Sequence, residues 1–134
     1  MTDEFYIQKC LELAAKGYPQ ALPNPLVGCV IVYQDSIIGE GYHQEFGKAH
    51  AEVNAINSVK DKTKLEQSTL YVNLEPCAHY GKTPPCADLI IKSKFQKVVI
   101  GALDSFSEVN GKGIEKIKEA GIEVKVNILK EDCI

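Results

Sequence analysis

Three side chains of the metal-binding kind stand far apart in this chain, and any fold that brings them together is tightly constrained. His50 sits in His50-Ala51-Glu52, Cys77 follows Pro76 well downstream, and Cys86 comes after eight intervening residues. Two thiolates and one imidazole fill three positions of a tetrahedral zinc ion and leave the fourth open for water, as a catalytic site requires. A His and a Glu two residues apart are separated by about 200° around a helix interior. They converge only at a first turn, so the metal is expected off the N-terminus of a helix that starts at His50. Cys86 follows Pro84-Pro85 and falls in the first turn of another helix, where a proline's missing N–H is harmless. Two helix N-termini then point at one site, and their partial positive charge favours thiolates. Cys77 is expected in the loop just past a strand, where α/β sheets commonly place ligands.

The hydrophobic pattern supplies those strands and helices. Helical spacing predicts helices over 3–16, 50–59, 84–93 and 113–120. Apolar runs rich in branched residues predict strands over 27–33, 37–42, 69–74, 97–103 and 122–128, the first two joined by a hairpin turn at Gln34-Asp35-Ser36. The polar stretch 60–68 reads as a loop. A hairpin followed by strands that alternate with helices implies a three-layer α/β/α sandwich with a mixed five-stranded sheet. The 134 residues suit a single domain, 1–134. Lys130 to Ile134 read as a frayed tail or the start of something else.

Charge and cysteine usage narrow the setting. The net charge of -3 argues against a broad nucleic-acid-binding face, which is normally basic. It leaves room for one anionic small molecule held by local cations. Five cysteines, an odd number, and no signal-peptide pattern argue against a secreted disulfide framework. No apolar run approaches the roughly 20 residues of a membrane span. A reducing cytoplasm is the expected compartment. Cys29 reads as a small apolar strand residue and Cys10 as a helix-face residue.

His-x-Glu followed by Pro-Cys and a second Cys is the signature of zinc deaminases. In that chemistry Glu52 need not bind the metal. It takes a proton from water, passes it to a ring nitrogen, and then protonates the departing amine. A solvated first-turn carboxylate is the plain alternative for Glu52, since a helix N-terminus favours negative charge anyway. A zinc scaffold without turnover is the alternative for the whole set, although closed structural sites usually show four protein ligands.

The segment TLYVNLEPCAHYGKTPPCADLII (69–91) closely resembles the deaminase domains of bacterial riboflavin-biosynthesis proteins. So do PNPLVGCVIV (23–32), IIGEGYHQEFGKAHAEVNAI (37–56) and GKGIEKIKEAGIEV (111–124). The long spacer between the cysteines sets this pattern apart from cytidine and tRNA adenosine deaminases, which usually have two residues there. The resemblance implies a cytidine-deaminase-like fold and one zinc ion per chain, held by His50, Cys77 and Cys86 with Glu52 as general acid/base. It implies a phosphorylated pyrimidine as substrate, 2,5-diamino-6-ribosylamino-4(3H)-pyrimidinone 5′-phosphate, which loses its 2-amino group as ammonia. Asn24 and His43 would line the pyrimidine pocket, His79 and Lys82 would lie near the substrate with Lys82 facing the phosphate, and Asp104 would fall near the ribose. A homodimer or larger assembly is implied as well, with no nucleic-acid or membrane partner.

Some of these roles have independent physical support. Lys82 supplies a point charge suited to a phosphate. Asn24 lies between two prolines that stiffen its backbone, and its amide both donates and accepts. Each residue also has a plain structural alternative: a turn-forming Asn24, a hairpin-end His43, a loop His79, a solvated Lys82 and a helix-capping Asp104. The sequence departs from the resembled pattern after Asp104. Ser105-Phe106-Ser107 stands where Pro-Asn-Pro is common, and Asn110 stands in place of an alanine. Many proteins of this kind continue into an NADPH-dependent reductase domain, so a free-standing deaminase and a piece of a bifunctional protein both stay open. No nicotinamide binding is expected of these residues. Deamination of another nucleobase, a nucleoside or a tRNA base is the alternative reaction.

Overall fold

Strand β1 (Gly28–Tyr33) is buried along nearly its whole length, because its side chains are apolar on both faces. The structure is a computed structural model and describes residues 2–45, 48–76, 86–102 and 111–129. Around β1 stand β2 (Ser36–Tyr42), β3 (Thr69–Leu74), β4 (Lys97–Ala102) and β5 (Glu123–Lys125), in the order β2-β1-β3-β4-β5. β1 is antiparallel to both β2 and β3, whereas β3, β4 and β5 run parallel. The mixed five-stranded sheet expected from the sequence is present.

Alternating side chains divide the core in two. Val30, Val32, Tyr71 and Val99 pack with Tyr6, Ile7, Cys10 and Leu13 of helix α1 (Asp3–Ala15). On the other face Cys29, Ile31, Leu70, Val72, Val98 and Ile100 meet α2 (Ala51–Ser58), α3 (Cys86–Ser93) and α4 (Lys112–Glu119). This two-residue period is what a sheet covered on both faces requires. An ion pair from Lys116 to Asp88 links α4 to α3.

The hairpin closes through Gln34 and Asp35, both with positive φ, so Tyr33 pairs directly with Ser36. Two consecutive left-handed residues match the right-handed twist of the flanking strands. Because β1 reverses direction against both neighbours, its start lies beside the ends of β2 and β3. Gly28 pairs with Tyr42, and Cys29 with Val72.

Two expectations are corrected. The stretch 60–68 contains a 3-10 helix, Lys62–Gln67, which is capped by the Asp61 side chain and buries Leu65. One apolar residue in a polar stretch was enough to fold it down. The last strand covers Glu123–Lys125 rather than 122–128. Left-handed backbone at Asn127 and Leu129 ends the extended run. The tail from Lys130 lies outside the described residues.

Candidate active site

Helix α2 is pressed onto the end of the hairpin, and this sets the position of His50. A Cβ on Gly41 would fall 2.5 Å from the Ala55 backbone nitrogen and 2.7 Å from the Asn54 Cβ, so only glycine permits this approach. The Asn54 amide donates to the Tyr42 carbonyl at 2.9 Å, tying the first turn of α2 to the end of β2. His50 is the N-cap of α2, with extended backbone and no side-chain capping bond. Its ring meets the Cys86 side chain instead. Glu52, in the first turn, is buried at 4 % exposure.

Cys86 opens α3 and is 3 % exposed. Its Sγ lies 3.3 Å from Nδ1 of His50. Zinc bonds of about 2.3 Å to sulfur and 2.0–2.1 Å to nitrogen, set at a tetrahedral angle, put two such ligand atoms roughly 3.5 Å apart. The pair therefore fits one zinc ion. Its position at a helix N-terminus favours the thiolate form of Cys86. Cys77, the third expected ligand, lies outside the described residues, as do His79, Lys82 and Asp104.

Beside this pair, His43 is buried at 3 % exposure. Its Nδ1 lies 3.1 Å from the Ala49 carbonyl oxygen, which can only accept, so Nδ1 carries a proton. In the neutral ring Nε2 then accepts from the Asn24 amide at 3.1 Å. The His43 and His50 rings meet edge to face, with centroids 5.4 Å apart at 88°. Asn24, His43, His50 and Cys86 thus form one continuous group. Cys29 lies in the apolar layer below. Burial, then the charge of Glu52, holds its thiol well above the usual range, so it stays neutral, as its apolar reading implies. Cys10 is likewise buried, and its thiol donates to the Tyr71 carbonyl at 3.3 Å.

Two buried polar residues that support the site escape a reading of the sequence. Asn73 accepts from the Gly28 N–H at 2.8 Å and donates to the Leu26 carbonyl at 3.1 Å. It pins the segment that follows Asn24-Pro25. Glu75 accepts from the backbone of Gly111 and Gly113 at 2.9 Å each. A polar residue inside the apolar run TLYVNL, and a carboxylate beside Pro-Cys, were the signals on offer.

Comparison with known proteins places the chain in a family. Residues 1–102 match the cytidine and deoxycytidylate deaminase zinc-binding region. A diaminohydroxyphosphoribosylamino-pyrimidine deaminase of Buchnera aphidicola is 45% identical over 98% of this chain and 88% of its own length. The riboflavin biosynthesis protein RibD of Bacillus amyloliquefaciens is 50% identical over 98% of this chain but 35% of its own. The structure of Acinetobacter baumannii RibD superposes with a TM-score of 0.92 at 45% identity, over 98% of this chain and 36% of that one. The chain therefore spans about a third of those two RibD proteins.

Proposed function

This chain belongs to the zinc-binding family of cytidine and deoxycytidylate deaminases, and within it we propose a pyrimidine deaminase of riboflavin biosynthesis that acts on 2,5-diamino-6-ribosylamino-4(3H)-pyrimidinone 5′-phosphate. Kinship with the Buchnera deaminase over nearly its whole length supports this reading. The observation that carries it is the 3.3 Å approach of His50 to Cys86 at the meeting of two helix N-termini, with Glu52 buried in the first turn of α2. We read the 134 residues as one deaminase domain.

His50, Cys77 and Cys86 would hold zinc. When bound there, the ion supplies a Lewis acid that brings the pKa of water down to about 7. Glu52 accepts a proton from the attacking water and delivers it to the pyrimidine ring nitrogen beside the reacting carbon. It then takes the second proton of that oxygen and passes it to the leaving amine. The carbon–nitrogen bond breaks, ammonia departs, and the water oxygen stays as the new carbonyl. The Asn24 amide, held at 3.1 Å from His43, would donate to or accept from a pyrimidinone. His79 and Lys82 would lie near the substrate, with Lys82 facing the phosphate, and Asp104 would fall near the ribose.

Among the described residues no helix is long and apolar enough to cross a membrane, and Cys10, Cys29 and Cys86 form no disulfide. A cytoplasmic setting is part of the same proposal, resting on the odd number of cysteines in the sequence. A homodimer or larger assembly belongs to the same reading, by analogy with deaminases of this fold.

The test is ammonia release from the phosphorylated diaminopyrimidine, with its dephosphorylated form and cytidine beside it and Glu52→Ala as control. Turnover of the phosphorylated compound alone, lost in the variant, is the expected result. Equal turnover of cytidine, or full activity in Glu52→Ala, would overturn the assignment.

A further inference from the structure

We propose that Glu75 is a positioning residue for the metal centre: by gripping the N-terminus of α4 it fixes the Pro76-Cys77 link on which the Cys77 thiolate depends. The inference rests on the zinc reading given above.

Glu75 follows β3 directly. Its own N–H donates to the Ala102 carbonyl at 2.9 Å, so the main chain there still runs alongside β4. The side chain is 6 % exposed. Oε1 accepts from Gly111 N at 2.9 Å, and Oε2 accepts from Gly113 N at 2.9 Å and Ile114 N at 3.4 Å. The first N–H groups of a helix have no partner inside it. Here one carboxylate answers three of them, those of Gly111, Gly113 and Ile114, and meets the positive end of the helix dipole.

A local cap would have stabilised α4 just as well. Its N-cap residue is instead Gly111, with φ 84 and no side chain to offer. The cap comes from 36 residues away, and a remote cap does something a local one cannot. It fixes where the helix stands relative to the end of β3. The contact is close: a Cβ on Gly113 would lie 2.3 Å from the Pro76 carbonyl oxygen. That oxygen belongs to the peptide joining Pro76 to Cys77, and the Pro76 side chain is fully buried. The Pro76 carbonyl thus lies against the N-terminal turn of α4, the turn whose N–H groups Glu75 holds.

The test is zinc affinity by chelator competition, together with the visible absorption of the Co2+-substituted protein. The proteins are wild type, Glu75→Gln, Glu75→Asp and Gly121→Ala. Gln turns an NH2 toward a backbone N–H, and Asp keeps the charge but falls one methylene short. Gly121 (φ 89) lies past the far end of α4 with nothing near its Cβ position, so alanine there weakens the helix without touching Pro76. Both Glu75 variants should lose about 10–100-fold in zinc affinity, as supports of metal ligands typically do, and should shift the Co2+ bands. Gly121→Ala should melt earlier with both properties intact. Unchanged affinity and bands in the Glu75 variants, or equal weakening in Gly121→Ala, would overturn the proposal. Should Glu75→Gln fail to fold, Glu75→Asp decides alone. A wild-type protein that binds neither metal overturns the zinc reading itself, before any variant is compared.

Discussion

Nδ1 of His50 and Sγ of Cys86 lie 3.3 Å apart although 36 residues separate them in the chain. Each sits at the N-terminus of its own helix. Removing one should uncouple the other from the metal. Cys86→Ser is expected to weaken zinc binding by more than the 10–100-fold typical of outer supports. Metal analysis after dialysis against a chelator measures it; one zinc per chain retained in the variant would refute the ligand role.

Glu52 is buried in the first turn of α2, and the proposed mechanism makes it the general base. Glu52→Gln preserves shape and removes the base. A fall in kcat of at least about 10²–10⁴-fold is expected, the range for general acid–base catalysis, with zinc content unchanged. Steady-state kinetics beside metal analysis separates this from loss of the ion.

Asn73 joins two backbone groups of the Leu26–Gly28 segment. Asn73→Ala leaves a buried N–H and a carbonyl without that partner, at about 1–3 kcal/mol for each unsatisfied group. Chemical denaturation should show a loss of roughly 2–6 kcal/mol. Because the segment follows Asn24, KM should rise as well. A variant as stable as wild type would show that other groups hold this segment.

Asp3 accepts from the Tyr71 hydroxyl at 2.9 Å and pairs with Lys125 at 2.9 Å. Burial pushes its carboxyl up, but the hydrogen bonds from Lys125 and Tyr71 together bring it below the usual 3.8. Burial and then the Asp3 bond push the Tyr71 phenol above its ordinary range. A carboxylate with a depressed folded pKa adds stability that is present above about pH 4 and lost as pH falls through the folded value. Asp3→Ala should therefore cost about 1 kcal/mol at neutral pH, mainly through the lost Tyr71 bond. The gap should narrow below pH 4. Melting curves from pH 7 to pH 3 test this, and a gap that widens in acid would contradict it.

Hydrophobic spacing carried the order of helices and strands, because each element buries a face with its own period. His-x-Glu carried the start of α2, because the two side chains converge only at a first turn. What stayed illegible depended on partners distant in sequence. Asn127 ends β5 early through its backbone conformation, and Leu65 folds a polar stretch inward; neither leaves a periodic trace. The Asn24–His43 hydrogen bond and the remote cap from Glu75 join residues whose types are individually unremarkable. Cys77, His79, Lys82 and Asp104, named from the motif, lie outside the described residues.

The reversal of β1 against both neighbours sorts the connections of this protein into two populations. At one end of the sheet the chain leaves β2 toward His43, leaves β3 toward Pro76-Cys77, and enters β1 from Asn24. At the other end lie the Gln34-Asp35 turn, the approach to β3 at Ser68, and the Lys94–Gln96 link into β4. None of the residues named for chemistry belongs to that second group. Lengthening a flexible loop adds little closure entropy. The far rim is thus where the chain can lengthen, vary or carry a fused peptide while the distances that matter for catalysis stay in place.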